Sequence, residues 1–354
     1  MLKINNLKID EISFTKKNND KNFNRCLEYA KMINPKYMEF LPINSKYSVS
    51  FELTNTTTDF ANFIRRSLMD EVVVYSMTVV DTDIMTDDRF ILADYLKKNI
   101  ELVPFSQNIT ESDIKDLTIS IDIKNTTDDL RTIYTGDIDI YIKSKKVDIS
   151  KYISTTIALI QLRPSTFLKI DNITISSGQA KYDSGQFLLL SNISYEILDV
   201  VPLLEGKHET KGESSLNSEP AHFRIGYRTH RNISPKKVMI KCCNEMIRRF
   251  TNIQKELSQI NKSEKVHFSD LIELETKGDV KIFHFKNEYW TVSNVISKYC
   301  FMAFKDIQFV CSGIVHPSTE ESVVKIKHTE PVKIIQTAIK NILIDLNTVL
   351  KLFN

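Results

Sequence analysis

Two adjacent basic side chains are the most chemically suggestive feature of this sequence. Arg65 and Arg66 lie within residues 58–72, a run whose apolar residues recur at helical spacing. A planar guanidinium can bind a carboxylate through two parallel hydrogen bonds, which gives a protein contact both energy and direction. The pair therefore predicts either a docking surface for an acidic partner or the solvated face of an ordinary amphipathic helix.

A second basic segment, residues 177–182, contains Gly178 and Lys181. It lacks the G-x-x-x-x-G-K-[ST] spacing with which backbone amides cradle a phosphate, and this argues against nucleotide binding. We expect Gly178 to adopt a positive φ angle in a loop. The segment predicts either a contact loop or an ordinary turn.

The cysteines favour neither disulfides nor a metal site. Their number is odd and they include no C-x-x-C pair: Cys26, Cys242, Cys243, Cys300 and Cys311. This pattern indicates reduced thiols in a cytosolic or nuclear compartment. Cys311 and His316 lie near Cys300 in sequence, but a tetrahedral zinc site requires four close ligands. We therefore interpret His316 as part of a strand-end turn and expect no metal.

Catalysis is not indicated either. No Ser/His/Asp or Cys/His set, metal-binding Asp-x-Asp run or carboxylate pair stands in a recognisable catalytic context, and Asp137, Arg163 and Lys181 are too scattered to form a site. Lys and Arg total 47 against 45 Asp and Glu, which lacks the excess expected for general phosphate neutralisation. No segment approaches the roughly 20 apolar residues of a membrane span. We expect no active site, no cofactor and no direct contact with nucleic acid or membrane.

The sequence predicts that the arginine pair lies on a helix that directly follows a strand. Period-two alternation predicts a strand over residues 47–53. We expect Thr58 or Asp59 to cap the helix that follows. Its apolar stripe consists of Phe60, Phe63, Ile64 and Leu68.

A strand over residues 72–84 and a helix over 89–99 lead to Pro104, which cannot donate a ladder hydrogen bond and predicts a domain edge. Beyond it, short β-prone runs between polar turns predict an inserted, mostly antiparallel β domain over residues 105–221. The polar stretch 205–221 predicts a mobile loop leaving this insert. The β-prone runs are residues 117–123, 132–142, 153–162, 167–175 and 187–195.

The chain then returns to the first domain. Residues 223–228 alternate as a strand, and Ser234 with Pro235 predicts a capped helix start. The helix carries a strict heptad seam suited to packing along another long helix. The seam consists of Met239, Cys243, Met246, Phe250, Ile253, Leu257 and Ile260.

The sequence of the second half predicts the same order of strands and helices as the first half, but without an insert. We expect a helix opening over residues 288–296 and a terminal helix from Pro331. The expected strands are residues 265–273, 279–285, 306–315 and 322–327. The stripe of the terminal helix consists of Ile335, Ala338, Ile342, Leu346, Val349 and Phe353.

Residues 58–72 resemble the first signature segment of the alpha-type assembly subunits of multisubunit RNA polymerases. In that family the helix forms part of a dimer interface and presents its arginines to the second-largest, catalytic subunit. The matching residues, in order, are Asn62, Arg65, Arg66, Glu71 and Val72. Further resemblances lie in residues 100–105, 132–138, 159–164 and 177–182, the last resembling a Gly-x-x-Lys loop that approaches the large subunits in relatives.

The second half resembles the small partner of that subunit, the eleventh subunit of eukaryotic RNA polymerase II and its archaeal relatives. The matching residues are Thr291, Asn294, His316 and Pro317. Tyr289 and Trp290 replace the family's usual histidine and its neighbour. A chain that joins both halves resembles the RNA polymerase subunit of large nucleocytoplasmic DNA viruses.

This resemblance implies an α+β protein with two alpha-type dimerisation folds in one chain, the first interrupted by the β insert. Each half would cover the other's apolar helices, so that no homodimer is expected. The implied units are a lead-in over 1–46, a third-subunit-like dimerisation domain over 47–104 and 222–262, the insert over 105–221 and an eleventh-subunit-like domain over 263–354. The dimer-interface candidates are Phe60, Phe63, Ile64, Met246, Phe250, Ile253, Leu257, Val295, Ile296, Ile335, Ile342 and Leu346. The docking candidates are Arg65, Arg66, Gly178 and Lys181.

The implied function is a non-catalytic assembly platform on which the second-largest polymerase subunit docks first and the largest follows. Small polymerase subunits would be further partners, and DNA or RNA would be reached only through the complex. The implied location is the host cytoplasm and the virion, with the nucleus as an alternative. The rival interpretation is a viral scaffold or interaction protein that uses the β insert as a binding module.

Overall fold

The computed structural model describes residues 2–11, 32, 47–202, 218–229, 233–260, 266–316 and 318–354. Helices and strands occupy similar shares of this part of the chain, and its sheets are antiparallel, so the predicted α+β class is confirmed. Within the same ranges, each helix is too short or too polar to cross a membrane.

The described chain contains the following strands and helices, numbered in chain order. The strands are β1 Lys3–Glu11, β2 Tyr47–Thr54, β3 Val74–Val79, β4 Ile84–Thr86, β5 Leu117–Lys124, β6 Arg131–Tyr134, β7 Asp139–Ile142, β8 Lys145–Lys146, β9 Ala158–Leu162, β10 Phe167–Gly178, β11 Leu190–Pro202, β12 Ser218–Thr229, β13 His267–Phe268, β14 Ile272–Lys277, β15 Val280–Lys286, β16 Phe309–Ile314 and β17 Glu321–Lys327. The helices are α1 Thr58–Asp70, α2 Ala93–Glu101, α3 Glu111–Lys115, α4 Ser184–Phe187, α5 Pro235–Gln259, α6 Trp290–Ala303 and α7 Pro331–Phe353.

The first sheet has the strand order β1-β2-β12-β11. The predicted opening strand is confirmed as β2, which buries Val49, Phe51 and Leu53 on one face. The helix after it, α1, is capped one residue earlier than predicted, because the Thr57 side chain accepts a hydrogen bond from the Phe60 N–H at 3.2 Å. β1 adds part of the predicted lead-in to the edge of this sheet.

The predicted limits of the insert, residues 105 and 221, do not coincide with the boundary between the first and second sheets. β3, expected in the first domain, pairs with β10 in a second sheet of order β3-β10-β5-β7-β8, and β4 also pairs with β10. β11, expected in the insert, pairs instead with β12 in the first sheet. By strand pairing, β3 and β4 thus belong with the insert, and β11 belongs with the first sheet.

Pro104, predicted to mark a domain edge, lies shortly after the end of α2. Its neighbours Val103 and Phe105 are both buried in the core of the second sheet. A proline stops an element locally, whereas the pairing that defines this sheet joins residues 100 positions apart, Ser76 and Ser176. The proline correctly predicted a local end of regular structure, but it could not predict the pairing of β3 with β10, which is distant in sequence.

Several strands of the insert are shorter or divided relative to the prediction. The run 132–142 splits into β6 and β7, and the run 153–162 is reduced to β9, which pairs with β6 alone in a two-stranded sheet. The predicted loop 205–221 falls mostly outside the described residues, but its last part belongs to β12. The predicted strand 187–195 begins at β11 instead, after the short helix α4.

The second half forms a third sheet of order β13-β14-β15-β17-β16. Gly278 makes the tight turn between β14 and β15 with a φ of +59°, a left-handed conformation that favours glycine. α6 precedes β16, and α7 follows β17 as the terminal helix. The two predicted helices of this half are confirmed, and the predicted strands 279–285, 306–315 and 322–327 correspond to β15, β16 and β17. The predicted strand 265–273 is wrong, because these residues contain the two-residue β13, a bend and only the start of β14.

One apolar core runs through both halves. α5 lies along α7, and α1 packs against α6. Aromatic pairs join the halves, with ring centroids 5.4 Å apart for Phe51 and Phe353 and 6.0 Å apart for Phe60 and Tyr299. The dimer-interface candidates are all buried in this core: Phe60, Phe63, Ile64, Met246, Phe250, Ile253, Leu257, Val295, Ile296, Ile335, Ile342 and Leu346. The insert has a separate core.

Gly178 lies at the end of β10, where a close packing contact explains the glycine. Its φ angle is not positive, contrary to the prediction. The ring of Phe187 covers it so closely that a Cβ atom at this position would lie 2.4 Å from a ring carbon. Gly178 is therefore covered by its own chain, which leaves little room for a partner to contact it.

Replacing Gly178 by alanine should destabilise the fold. The added methyl group must displace the packed Phe187 ring, and overpacking of this kind costs about 1–3 kcal/mol. Gly313→Ala is the matched control, because its Cβ would meet Val323 at an ordinary 3.5 Å. Urea unfolding followed by circular dichroism compares the two variants, and equal midpoints would contradict the close contact at Gly178.

The thiols of the large core should resist alkylation in the folded protein. Burial raises the pKa of Cys243 and of Cys300 to about 12, and burial also raises the pKa of Cys242. Because the thiolate is the reacting form, these side chains should stay unmodified by iodoacetamide until denaturant is added. Cys311 is partly exposed and should react in the native protein. Peptide mass spectrometry identifies the modified sites, and native-state modification of Cys300 would contradict the described core.

Candidate docking site

α1 carries the arginine pair with most of its hydrogen-bonding capacity unused. Arg65 Nε donates to Asn62 Oδ1 at 3.0 Å, and Arg66 Nη2 lies 3.2 Å from Asp70 Oδ2. Burial raises the pKa of Asp70, and the positive charge of Arg66 opposes this rise. Within the described chain, the other N–H groups of both guanidiniums have no acceptor. They are therefore able to bind carboxylates of a partner.

A cleft of about 180 Å³ opens beside Arg66, between α1 and the start of α6. Arg66 contributes a cation from the first half, with 41% of its side chain exposed. The second half contributes Trp290, which is 54% exposed, and Ile314, which is 48% exposed. Tyr289 and His316 also line the cleft. The cleft thus combines charged and apolar groups from both halves.

Lys181, the other predicted docking cation, is engaged within the molecule. Its side chain is only 9% exposed, and Nζ lies 3.7 Å from Glu71 Oε2 and 3.9 Å from Glu320 Oε2. The ammonium also lies over the rings of Tyr182 and Tyr289, at 4.8 and 5.5 Å from their centroids. Lys181 therefore links the insert, the end of α1 and the second half, instead of facing a partner.

Arg249 on α5 forms a buried charged contact between the halves. Its Nε donates to Glu288 Oε1 at 2.9 Å, its Nη2 donates to Glu288 Oε2, and its Nη1 lies 3.0 Å from Glu71 Oε2. Burial works against its charge, but the carboxylates of Glu288 and Glu71 raise the pKa of Arg249 above its ordinary value. Burial raises the pKa of Glu288, while Arg249 opposes that rise. The arginine remains charged and fixes the junction.

Sequence reasoning missed the role of Arg249. The residue follows Arg248 and precedes Phe250 of the heptad seam, so the pair resembles an exposed basic patch. The available signal was its place immediately beside the seam, where a side chain can reach the neighbouring helix or strand. Only Arg248 of the two is well exposed, with its side chain 62% accessible against 12% for Arg249.

Asn294, which the family resemblance had singled out, also joins the halves. Its Nδ2 donates to Asp59 Oδ1 in the first turn of α1, and its Oδ1 accepts from the hydroxyl of Ser312 at 2.9 Å. Both ends of the amide are satisfied. These bonds fix α6 against α1.

The residues weighed as metal ligands do not come together. His316 Nδ1 lies 2.7 Å from the hydroxyl of Ser318, Cys300 is buried in the core, and Cys311 lies on β16. Across the described ranges, His, Cys, Asp and Glu side chains form no group of three suited to a metal ion.

No known protein family matches this sequence. Comparison with curated proteins likewise yields no match. The function must therefore be inferred from the residues of the chain and their geometry.

Replacing Arg249 by alanine should destabilise the protein strongly. The change leaves the buried carboxylates of Glu288 and Glu71 without their main cation, and loss of one member of a buried ion pair costs about 3–5 kcal/mol. Urea unfolding measures the free energy of unfolding. Arg249→Met combined with Glu288→Leu should recover part of the loss, since apolar replacement of a buried pair is often close to neutral.

Arg248→Ala is the matched control for this experiment. Arg248 is adjacent on the same helix and pairs with Glu245 at 2.6 Å in an exposed position. Loss of such a surface pair should change stability by no more than about 1 kcal/mol. Equal losses for Arg248→Ala and Arg249→Ala would show that the buried ion pair does not hold the halves together.

Proposed function

We propose that this chain is the non-catalytic assembly-platform subunit of a multisubunit DNA-directed RNA polymerase. It combines two alpha-type dimerisation folds in one polypeptide, and the first of them is interrupted by the β insert. The second-largest polymerase subunit docks on this internal dimer first, and the largest subunit follows. Catalysis belongs to those subunits, and the chain meets DNA or RNA only through the complex.

The pairing of counterpart helices carries this proposal. α1 and α6 are the first helices of their halves, and α5 and α7 are the long terminal helices. α1 contacts α6, and α5 contacts α7. Each helix thus packs on its own counterpart, as expected for an isologous interface between two related folds. An internal dimer explains this reciprocal arrangement.

Fusion of the halves supports the role of a preformed platform. Two folds on one chain meet at a high effective concentration, so the docking surface forms without a separate association step. This removes the need for a homodimer. The proposal locates the chain in the host cytoplasm and in the virion, together with the other polymerase subunits.

The docking surface of the proposal is centred on Arg65 and Arg66. Both have unused guanidinium N–H groups that suit carboxylates of the second-largest subunit. Gly178 and Lys181 lie near the end of α1 but are covered by the chain itself, and we assign them to its support. Lys181 and Gln179 hold that end of the helix, the latter by donating Nε2 to the Glu71 carbonyl at 2.7 Å.

Co-expression with the second-largest subunit of the same polymerase tests the proposal. Affinity capture followed by sizing should yield a one-to-one complex that then recruits the largest subunit. A chain that remains alone with both large subunits present would overturn the assembly role. That result would favour the scaffold or interaction protein that binds through its β insert.

Reversing both docking charges, Arg65→Glu with Arg66→Glu, should abolish this capture. The new carboxylates repel an acidic partner surface, while the partly exposed side chains leave the core unchanged. Pull-down measures capture, and circular dichroism verifies folding.

Lys236→Glu with Lys237→Glu provides the matched control. It makes the same change in net charge at two adjacent, exposed positions in the first turn of α5, where acidic residues are tolerated. Capture should be unaffected. A folded double arginine variant that still captures the subunit as well as this control would remove α1 from the docking surface.

A further inference from the structure

We propose that the cleft between α1 and α6 anchors an acidic segment of the docking partner that carries one apolar side chain. The apolar side chain lies against Trp290 and Ile314, and a neighbouring carboxylate pairs with Arg66. The inference rests on the proposed function for the identity of the partner, the second-largest polymerase subunit. The chemistry of the segment follows from the cleft itself.

The size of the cleft suits one side chain. Its volume of about 180 Å³ is below the roughly 300–1,000 Å³ of ordinary small-molecule pockets. It lies beside an exposed apolar surface formed by Trp290, Ile314 and Val315, the last 51% exposed. Tryptophan and arginine are the residues most often found at energetic centres of protein interfaces. The cleft therefore fits an anchoring side chain better than a cofactor.

The charges around the cleft favour an acidic partner. Its two lining carboxylates are already engaged, since Glu288 accepts from Arg249 and Glu321 Oε1 lies 2.7 Å from His284 Nδ1. Arg66 has one described partner, Asp70, and retains unused N–H donors. An incoming carboxylate thus meets free donors, whereas an incoming cation meets carboxylates that are already paired.

The same charges make nucleic acid a poor occupant. A phosphate backbone is bound by a series of cations along its path. Here one lining arginine stands beside two glutamates, and the net charge of the whole chain is only +2. A protein segment matches the single cation and the apolar wall.

The cleft also depends on the assembled state of the chain. Arg66 comes from the first half, whereas Trp290, Ile314 and His316 come from the second. Neither half contains the complete anchor site. A partner that uses it therefore binds only when the two halves are packed together.

Fluorescence of Trp290, the single tryptophan of the chain, can report occupancy of the cleft directly. The probe is a capped peptide with a central Leu-Phe pair between runs of Asp and Glu, and its neutral counterpart replaces those acids by Asn and Gln. The acidic peptide should shift the emission to shorter wavelength in a salt-sensitive manner. The neutral peptide should bind about tenfold more weakly, as expected for loss of a charge-assisted contact.

Variants of the full chain assign the effect to Arg66. Arg66→Ala should weaken binding of the acidic peptide by about tenfold. Arg131→Ala is the matched control, because Arg131 is 42% exposed and pairs with Asp137 at 3.4 Å, much as Arg66 pairs with Asp70, but lies in the insert. It should leave binding unchanged. Comparison of the two peptides on the unaltered chain remains decisive even where a variant folds poorly.

Several results would overturn the inference. These are an unchanged emission at millimolar acidic peptide, equal binding of the neutral peptide, and equal weakening by Arg131→Ala. A shift with oligothymidylate and none with the peptide would overturn it in favour of nucleic acid. Capture of the second-largest subunit is measured in parallel. Capture without peptide binding removes the inference and leaves the proposed function. Peptide binding without capture removes the proposed function and, with it, the second-largest subunit as the occupant, and leaves only the preference of the cleft for an acidic segment with an apolar side chain.

Discussion

Mutual burial of α5 and α7 is the interaction on which the rest of this structure depends. The two long helices bring together the heptad seam of one half and the terminal stripe of the other. Isolated helices are marginally stable in water, so these two depend on tertiary packing for their stability. Each large apolar side chain that they bury contributes about 1.5–3 kcal/mol. The first and third sheets pack on this pair and are positioned relative to each other by it.

Apolar packing alone would tolerate small shifts of one helix along the other, and buried polar groups remove that freedom. Arg249 must meet Glu288 and Glu71, and Asn294 must meet Asp59. Gln336 Nε2 donates to the Leu257 carbonyl at 3.1 Å at the far end of the pair. Buried ion pairs contribute little net stability compared with apolar substitutes. We infer that these contacts instead specify one register between the halves.

The features that the sequence predicted correctly are those that depend on local periodicity. The seam of α5, the stripe of α7, the alternation of β2 and the α+β class all follow from the spacing of apolar residues along the chain. The limits of the insert could not be predicted in this way, because β3 finds its partner β10 far along the chain. Arg249 was missed for a related reason. Its importance comes from residues of the other half, which no local pattern near Phe250 announces.

The attachment of the insert to α1 has a mechanical consequence. The backbone N–H of Lys181 donates to the Asp70 carbonyl at 3.2 Å, and Gln179 donates to the Glu71 carbonyl at the same helix end. Lys181 adds its ion pair with Glu71. A force that tilts the insert must therefore break these bonds or rotate α1 with it. Torque applied to the insert would therefore reach Arg66, and a load on the insert would change how firmly α1 is held.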